Sequence, residues 1–271
     1  MIKLLALDMD GTLLDDQKKL SPKNIEAIHA AVAAGVKLVL CTGRILPGVK
    51  PYFDQLQLDA ENEYVIVNNG CSTHETKDWK LIDWAELSKE DIEFLAPFAR
   101  ESQTQLTLFD EENYYVVDEV ANEFVKADTE VVFLDPVTLP LETALHFAGH
   151  LFQGMFVGSQ AACDDFQERY QNELCLRFNG VRSQPTIYEV LPQNVSKASA
   201  LKKLAQQLNI DPADIMAIGD ANNDIEMLEF AGVSVAMGNA GDHIKEIADH
   251  ITASNNENGV AQAIYHYVLE S

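Results

Sequence analysis

Between residues 4 and 67 the apolar positions fall into short continuous runs separated by stretches with helical spacing. Leu4 to Leu7 predicts a strand that runs straight into a polar segment beginning at Asp8. Ser21-Pro22 has the form of an N-cap with proline at the first helical position. Ile25, Ile28, Ala31 and Val32 follow at helical intervals, and Gly35 suits the C-terminal cap. Val36–Cys41 and Tyr64–Val67 predict two more strands, ending at Thr42-Gly43-Arg44 and Asn68-Asn69-Gly70. Unbroken apolar strands alternating with helices predict an α/β chain with a Rossmann-like, doubly wound parallel sheet covered on both faces.

The rhythm changes at Trp84 and stays changed to Ile187. Leu106–Phe109, Tyr114–Val117 and Met155–Val157 alternate there with acidic, helix-like stretches, and Phe109, Tyr114, Tyr115, Phe124 and Phe133 suit a core. This segment, 84–187, reads as an inserted α+β domain, with 1–83 and 188–271 as the core. After it, Ser196 can cap a helix carrying Leu201, Leu204, Ala205 and Leu208 on one stripe. Ile215–Ile218 is a further strand before Gly219-Asp220, a helix follows through Met227 and Leu228, and Val233–Ala236 is another strand.

Composition narrows the function. The 271 residues are 47% hydrophobic, enough for a large core, and the net charge of −24 repels nucleic-acid backbones. An anionic substrate would therefore need a local cation and specific donors. Cys41, Cys71, Cys163 and Cys175 lack metal-ligand spacing, and no export signal or membrane-length apolar run is visible. These features are expected of reduced thiols in a cytoplasmic protein that binds neither membrane nor nucleic acid. His146 and His150 stand four apart, but they lack the glutamate of a zinc helix.

In open parallel sheets, ligands bind beyond the carboxyl ends of the strands. Asp8 and Asp10, Thr42, Asn69, Asp220 and Asn223 all fall at such ends. A carboxylate such as Asp8 can attack phosphorus, and a second, Asp10, can protonate a leaving oxygen and later activate water. A calcium loop would need glycine and glutamate where Leu13 and Lys19 stand. Asp8 with Asp220 makes the oxygen-rich site that Mg2+ prefers, and Asp224, one helical turn on, can steer water or hold a lysine. Thr42 and Gly43 can hold phosphoryl oxygens. Lys197, against the helix dipole, makes sense beside a phosphoryl group or Asp8.

DMDGT at 8–12, TGR at 42–44, the lysine of NVSKASAL and GDANND at 219–224 resemble the four motifs of the haloacid dehalogenase superfamily. Their order and the large insert resemble its Cof-type (IIB) phosphatases, and NNGC at 68–71, around Asn69, and VAMGNA at 235 add to the likeness. The resemblance implies a Mg2+-dependent phosphatase of small phosphorylated metabolites, with sugar phosphates as the usual range and residues 84–187 as a C2B cap. Asp8 would be the nucleophile and Asp10 the acid/base. Mg2+ would sit between Asp8, Asp220 and the Asp10 carbonyl. Met9 (through its N–H), Thr42, Gly43, Lys197 and Asn223 would hold the phosphoryl group, with Thr12, Asn69 and Asp224 in support. Ala198 replaces the family's usual glycine after the lysine, and a helical first turn accommodates its methyl. A sugar phosphomutase and a phospho-aspartate signalling module stay open as alternatives. Oligomeric state is not legible.

Overall fold

The computed structural model describes residues 1–58 and 62–270. The chain forms two compact units, one of Met1–Gly43, Pro51–Asp83 and Ser196–Ser271, the other of Arg44–Lys50 and Trp84–Val195.

The first unit is built on an eight-stranded sheet. Its strands are β1 (Leu4–Asp8), β2 (Lys37–Cys41), β3 (Tyr64–Val67), β4 (Ser72–Glu75), β5 (Lys80–Trp84), β12 (Ile215–Gly219), β13 (Val233–Ala236) and β14 (His250–Ile251). They lie in the order β14-β13-β12-β1-β2-β3-β4-β5. The pairs from β14 through β3 are parallel, and β4 returns antiparallel to β3. The expected doubly wound parallel sheet is present, extended by two strands at one edge. On one side of β1 the chain order runs outward through β2 and β3, on the other through β12, β13 and β14. That reversal is the position at which open α/β sheets bind ligands.

The helix Pro22–Ala33 starts as expected, with Ser21 accepting from the Asn24 N–H and proline at the first turn. Gly35, at φ +89°, follows its end. Its buried face, however, is Asn24, Ala27, Ile28 and Ala31, so the stripe is rotated from the expected Ile25–Val32 line. The rotation is sustained by Asn24, whose amide is satisfied by Leu13 O and Ala261 N. The helix Lys197–Leu208 packs Leu201, Leu204 and Ala205 into the core cluster, with Leu208 at its edge.

The second unit holds a six-stranded sheet of β6 (Gln105–Phe109), β7 (Tyr114–Val117), β8 (Val137–Leu139), β9 (Gly154–Val157), β10 (Phe178–Gln184) and β11 (Ile187–Pro192). The order is β10-β11-β9-β6-β7-β8, antiparallel except for β7 with β8. One face packs Leu106, Phe156 and Tyr188 against Phe98, Phe166 and Tyr170 of the helices Lys89–Glu101 and Gln160–Leu174. The other packs Phe109, Met155 and Ile187 against Ile45, Val125 and Val132.

Two expectations change here. β11 pairs with β9 and β10, so the chain returns to the first unit at Val195/Ser196 and not at 187/188. Phe133 is not core: it is exposed and left-handed, at φ +60°. Among the described residues, no helix is long and apolar enough to cross a membrane.

Candidate active site

β1 is buried throughout and delivers Asp8 beside Cys41 of β2. The chain then turns, with Leu13 N–H donating to Asp8 O and Leu14 N–H to Met9 O at 3.3 and 2.9 Å. Gly11 makes the turn possible. Its φ of +84° disfavours a side chain, and a Cβ there would stand 2.5 Å from an Asp220 oxygen. The hydroxyl of Thr12 donates to Asp220 Oδ1 at 2.7 Å, which joins the loop after β1 to the loop after β12.

Asp224 is the organiser of the second loop. Its Oδ2 accepts from the N–H groups of Asp220 and Ala221, both at 3.0 Å, and its Oδ1 from Lys197 Nζ at 2.8 Å. Lys197 also donates to Asp8 Oδ1 at 2.6 Å. Lys197, Asp224 and Asp8 are 1%, 0% and 5% exposed. A buried cluster of this kind is a poor source of stability, since each charge has lost its water. The sequence offers a phosphoryl group or Asp8 as the partner of Lys197, and water or a lysine as that of Asp224; the structure joins Asp8 and Asp224 through this one ammonium.

Burial works against the Lys197 ammonium, but Asp224 and Asp8 overcome it and hold its pKa above the ordinary range. Burial, with Asp224 next, pushes Asp8 well up in spite of Lys197, and burial raises Asp220 to about 6. Asp8, Asp220 and Asp224 offer oxygens all within 4.8 Å of one another. Acids gathered so closely are relieved by a shared proton or a cation. Asp224 already spends both oxygens on Lys197 and two peptide groups, so Asp8 and Asp220 are the pair that fits a divalent ion. The Asp10 side chain is outside this cluster and pairs with Lys18 at 2.7 Å, a partner the sequence analysis did not foresee. Its expected contribution to a metal is its backbone carbonyl.

Thr42 and Gly43 reach the same rim. Thr42 N–H donates to Ile66 O, and Thr42 O accepts from Asn69 N–H. Asn69, left-handed at φ 52°, accepts from Asn223 Nδ2 at 2.9 Å, and a Cβ on Gly43 would come within 3.0 Å of the Asn69 amide. Gly70 has a role that its motif did not disclose. At φ +101° it lies so close to the start of the Lys197–Leu208 helix that a Cβ would stand 2.2 Å from Ser196 O. The close approach sets where Lys197 enters. Arg44 belongs to the second unit, where it donates to Gly48 O and Val131 O. His146 and His150 engage Glu142 and Glu86, and the adjacent helix ends at Ala144, so the two share no helix face.

The arrangement presents a nucleophile-capable carboxylate, a paired carboxyl fit for a cation, a buried ammonium and a ring of hydroxyl and amide donors. The family of haloacid dehalogenase-like hydrolases matches residues 5–264. The chain is 36% identical to YxeH of Bacillus subtilis over 99% of each sequence. It is 33% identical to that organism's 5-amino-6-(5-phospho-D-ribitylamino)uracil phosphatase YcsE, over 99% of this chain and 96% of the relative. Among solved structures, a haloacid dehalogenase-like hydrolase from Bacteroides thetaiotaomicron aligns with a TM-score of 0.87 at 28% identity, covering 97% of this chain and 98% of that one. A sugar phosphatase of HAD subclass IIB aligns at 0.81 and 25% identity, covering 98% of each chain. With a rim of acids, a buried ammonium and amide and hydroxyl groups at the switch point of its sheet and this kinship along nearly its whole length, the chain belongs to the haloacid dehalogenase-like hydrolases and is a phosphatase.

Proposed function

We propose that the protein is a Mg2+-dependent phosphomonoester hydrolase of small phosphorylated metabolites, sugar phosphates foremost, working through an aspartyl-phosphate. The observation that carries this reading is the buried ammonium of Lys197, shared by Asp8 and Asp224, with the carboxylate oxygens of Asp8 and Asp220 within 4.8 Å of one another. Such an arrangement keeps one Asp8 oxygen oriented and leaves the carboxyl pair short of positive charge.

Asp8, Asp220 and the Asp10 carbonyl would hold the ion, which supplies charge neutralisation when bound. Asp8 attacks phosphorus, and the ester oxygen leaves with a proton from Asp10. Asp10 then takes a proton from water, whose oxygen attacks the phosphorus and frees Asp8 and inorganic phosphate. Thr42, Gly43, Lys197, Asn223 and the Met9 N–H position the phosphoryl oxygens, and Thr12, Asn69 and Asp224 hold those groups in place. Residues 84–195 act in this reading as the cap that excludes water and reads the leaving group. Sugar phosphates are favoured by the subclass IIB sugar phosphatase among the structural relatives.

The test is phosphate release from p-nitrophenyl phosphate and a panel of sugar, nucleotide and cofactor phosphates, with Mg2+, with EDTA, and with Asp8→Asn. Release that requires both the metal and Asp8 is expected. Folded Asp8→Asn protein that turns over normally would overturn the mechanism. Phosphate moved within a sugar without release would point to a mutase.

A further inference from the structure

Between Asp8 and the helix Pro22–Ala33 the chain passes through a loop with little secondary structure of its own, and three carboxamides converge on its carbonyls, two from distant segments and one, Asn24, from the first turn of that helix. Asn239 Nδ2 donates to Gly11 O at 2.8 Å, Asn24 Nδ2 to Leu13 O at 3.2 Å, and Asn255 Nδ2 to Leu14 O at 3.1 Å. Two of them also act in series, because Asn239 Oδ1 accepts the Asn255 N–H at 2.9 Å. Asn24 Oδ1 likewise accepts the Ala261 N–H. A carboxamide suits such a place because it donates to a carbonyl and accepts from an N–H at once.

We propose that Asn239, Asn255 and Asn24 are positioning residues for phosphoryl transfer: they clamp the peptide groups of residues 11–14 and so hold Asp8, Asp10 and Thr12 in working register. The inference rests on the phosphatase reading of the site. Peptide planes beside Gly11 gain from an external restraint, since glycine is conformationally permissive and Thr12 N–H reaches Met9 O only at 3.4 Å. Asn255 acts here through its donor: it is buried, and its Nδ2 serves both Leu14 O and Asp16 Oδ1. The clamp carbonyls belong to the segment that also sends Thr12 to Asp220. Displacing it would misplace several reacting groups together while leaving the substrate's other contacts intact.

The test compares wild type with Asn239→Ala, Asn239→Asp and Asn255→Ala, each checked for a native thermal transition. kcat and KM for p-nitrophenyl phosphate at saturating Mg2+ are measured beside amide hydrogen exchange of the segment 9–14. The expected result is a fall in kcat of about 10- to 100-fold with KM little changed, as for a small misplacement of reacting groups, and faster exchange confined to that segment. Asn239→Asp keeps an acceptor for Asn255 N–H, loses the donor to Gly11 O and sets a charged oxygen against that carbonyl, so its kcat should fall at least as far as that of Asn239→Ala. Wild-type kcat in Asn239→Asp, unchanged exchange in 9–14, or exchange that rises throughout the first unit in step with lost thermal stability would each overturn the clamp. A wild type with no turnover would defeat the phosphatase reading instead, and the exchange measurement would still decide whether the amides hold the loop.

Discussion

Lys197 sets one ammonium against two buried carboxylates, and its Nζ touches an oxygen of each. Replacing it with methionine keeps the volume and removes the charge. Breaking one partner out of a buried ionic set costs about 3–5 kcal/mol, although a proton taken up by Asp8, whose pKa is already raised, offsets part of this. Lys197→Met should therefore unfold at lower temperature above neutral pH than below it, and phosphatase turnover should fall by at least about 100-fold. Thermal melts across pH, run beside kinetics, check both. Asp220 gives a second test at this scale. Its carboxyl sits at about 6, against an ordinary 3.8, and Asp8 is raised in the same direction. A raised acid pKa means the native state holds the proton more tightly than the unfolded chain. The contribution of Asp220 without metal is thus full below 3.8 and is lost as pH rises through about 6. A cation replaces that proton. The increase in melting temperature on adding Mg2+ should be small at pH 5 and grow through pH 6 to 7. An increase that is independent of pH across that window would show that Asp8 and Asp220 are not its ligands.

At the scale of the element, the contact between Gly70 and Ser196 fixes the entry of the Lys197–Leu208 helix against the Asn68–Gly70 turn. A methyl group there meets backbone, which cannot rotate away, and φ of +101° adds strain of about 1–2 kcal/mol. Gly70→Ala should lower stability and shift Lys197, with a larger loss of kcat than its change in melting temperature suggests. Gly35→Ala, also at positive φ but with nothing within 4 Å, is the comparison that carries strain without collision. The parallel strands β1, β2, β3, β12 and β13 were legible in the sequence because they are largely buried apolar runs, most of them leading into polar or glycine residues; β14, two residues long and partly exposed, was not. From the sequence alone the insert ends at Ile187, short of Val195, because only pairing with β9 and β10 shows to which sheet Ile187–Pro192 belongs. Candidate-site residue types and spacing were legible too. Unlike them, the Lys18–Asp10 pair, the Gly70 approach and the three carboxamides depend on contacts between separate segments or on backbone direction, which no local pattern encodes.

For the whole molecule the governing property is the net charge of −24. A phosphomonoester approaching such a surface climbs a repulsive potential, and the Lys197 ammonium is too well paired to extend a field into solvent. Screening should therefore help encounter. The Debye length shortens from about 30 Å at 0.01 M salt to about 8 Å at 0.15 M, comparable with the distances over which surface acids act on an incoming anion. With Mg2+ held at saturation at every salt concentration, kcat/KM for a doubly charged sugar phosphate should rise over that range. kcat should stay nearly flat, because the bound phosphoryl group is shielded by buried partners that salt does not reach. A neutral competitive inhibitor provides the reference, since it carries no charge for salt to screen. If kcat/KM fell with salt instead, a local positive field at the mouth of the site would outweigh the acidic surface. The source of that field would then have to be sought outside Lys197, in the bound cation or in basic side chains of the 84–195 segment.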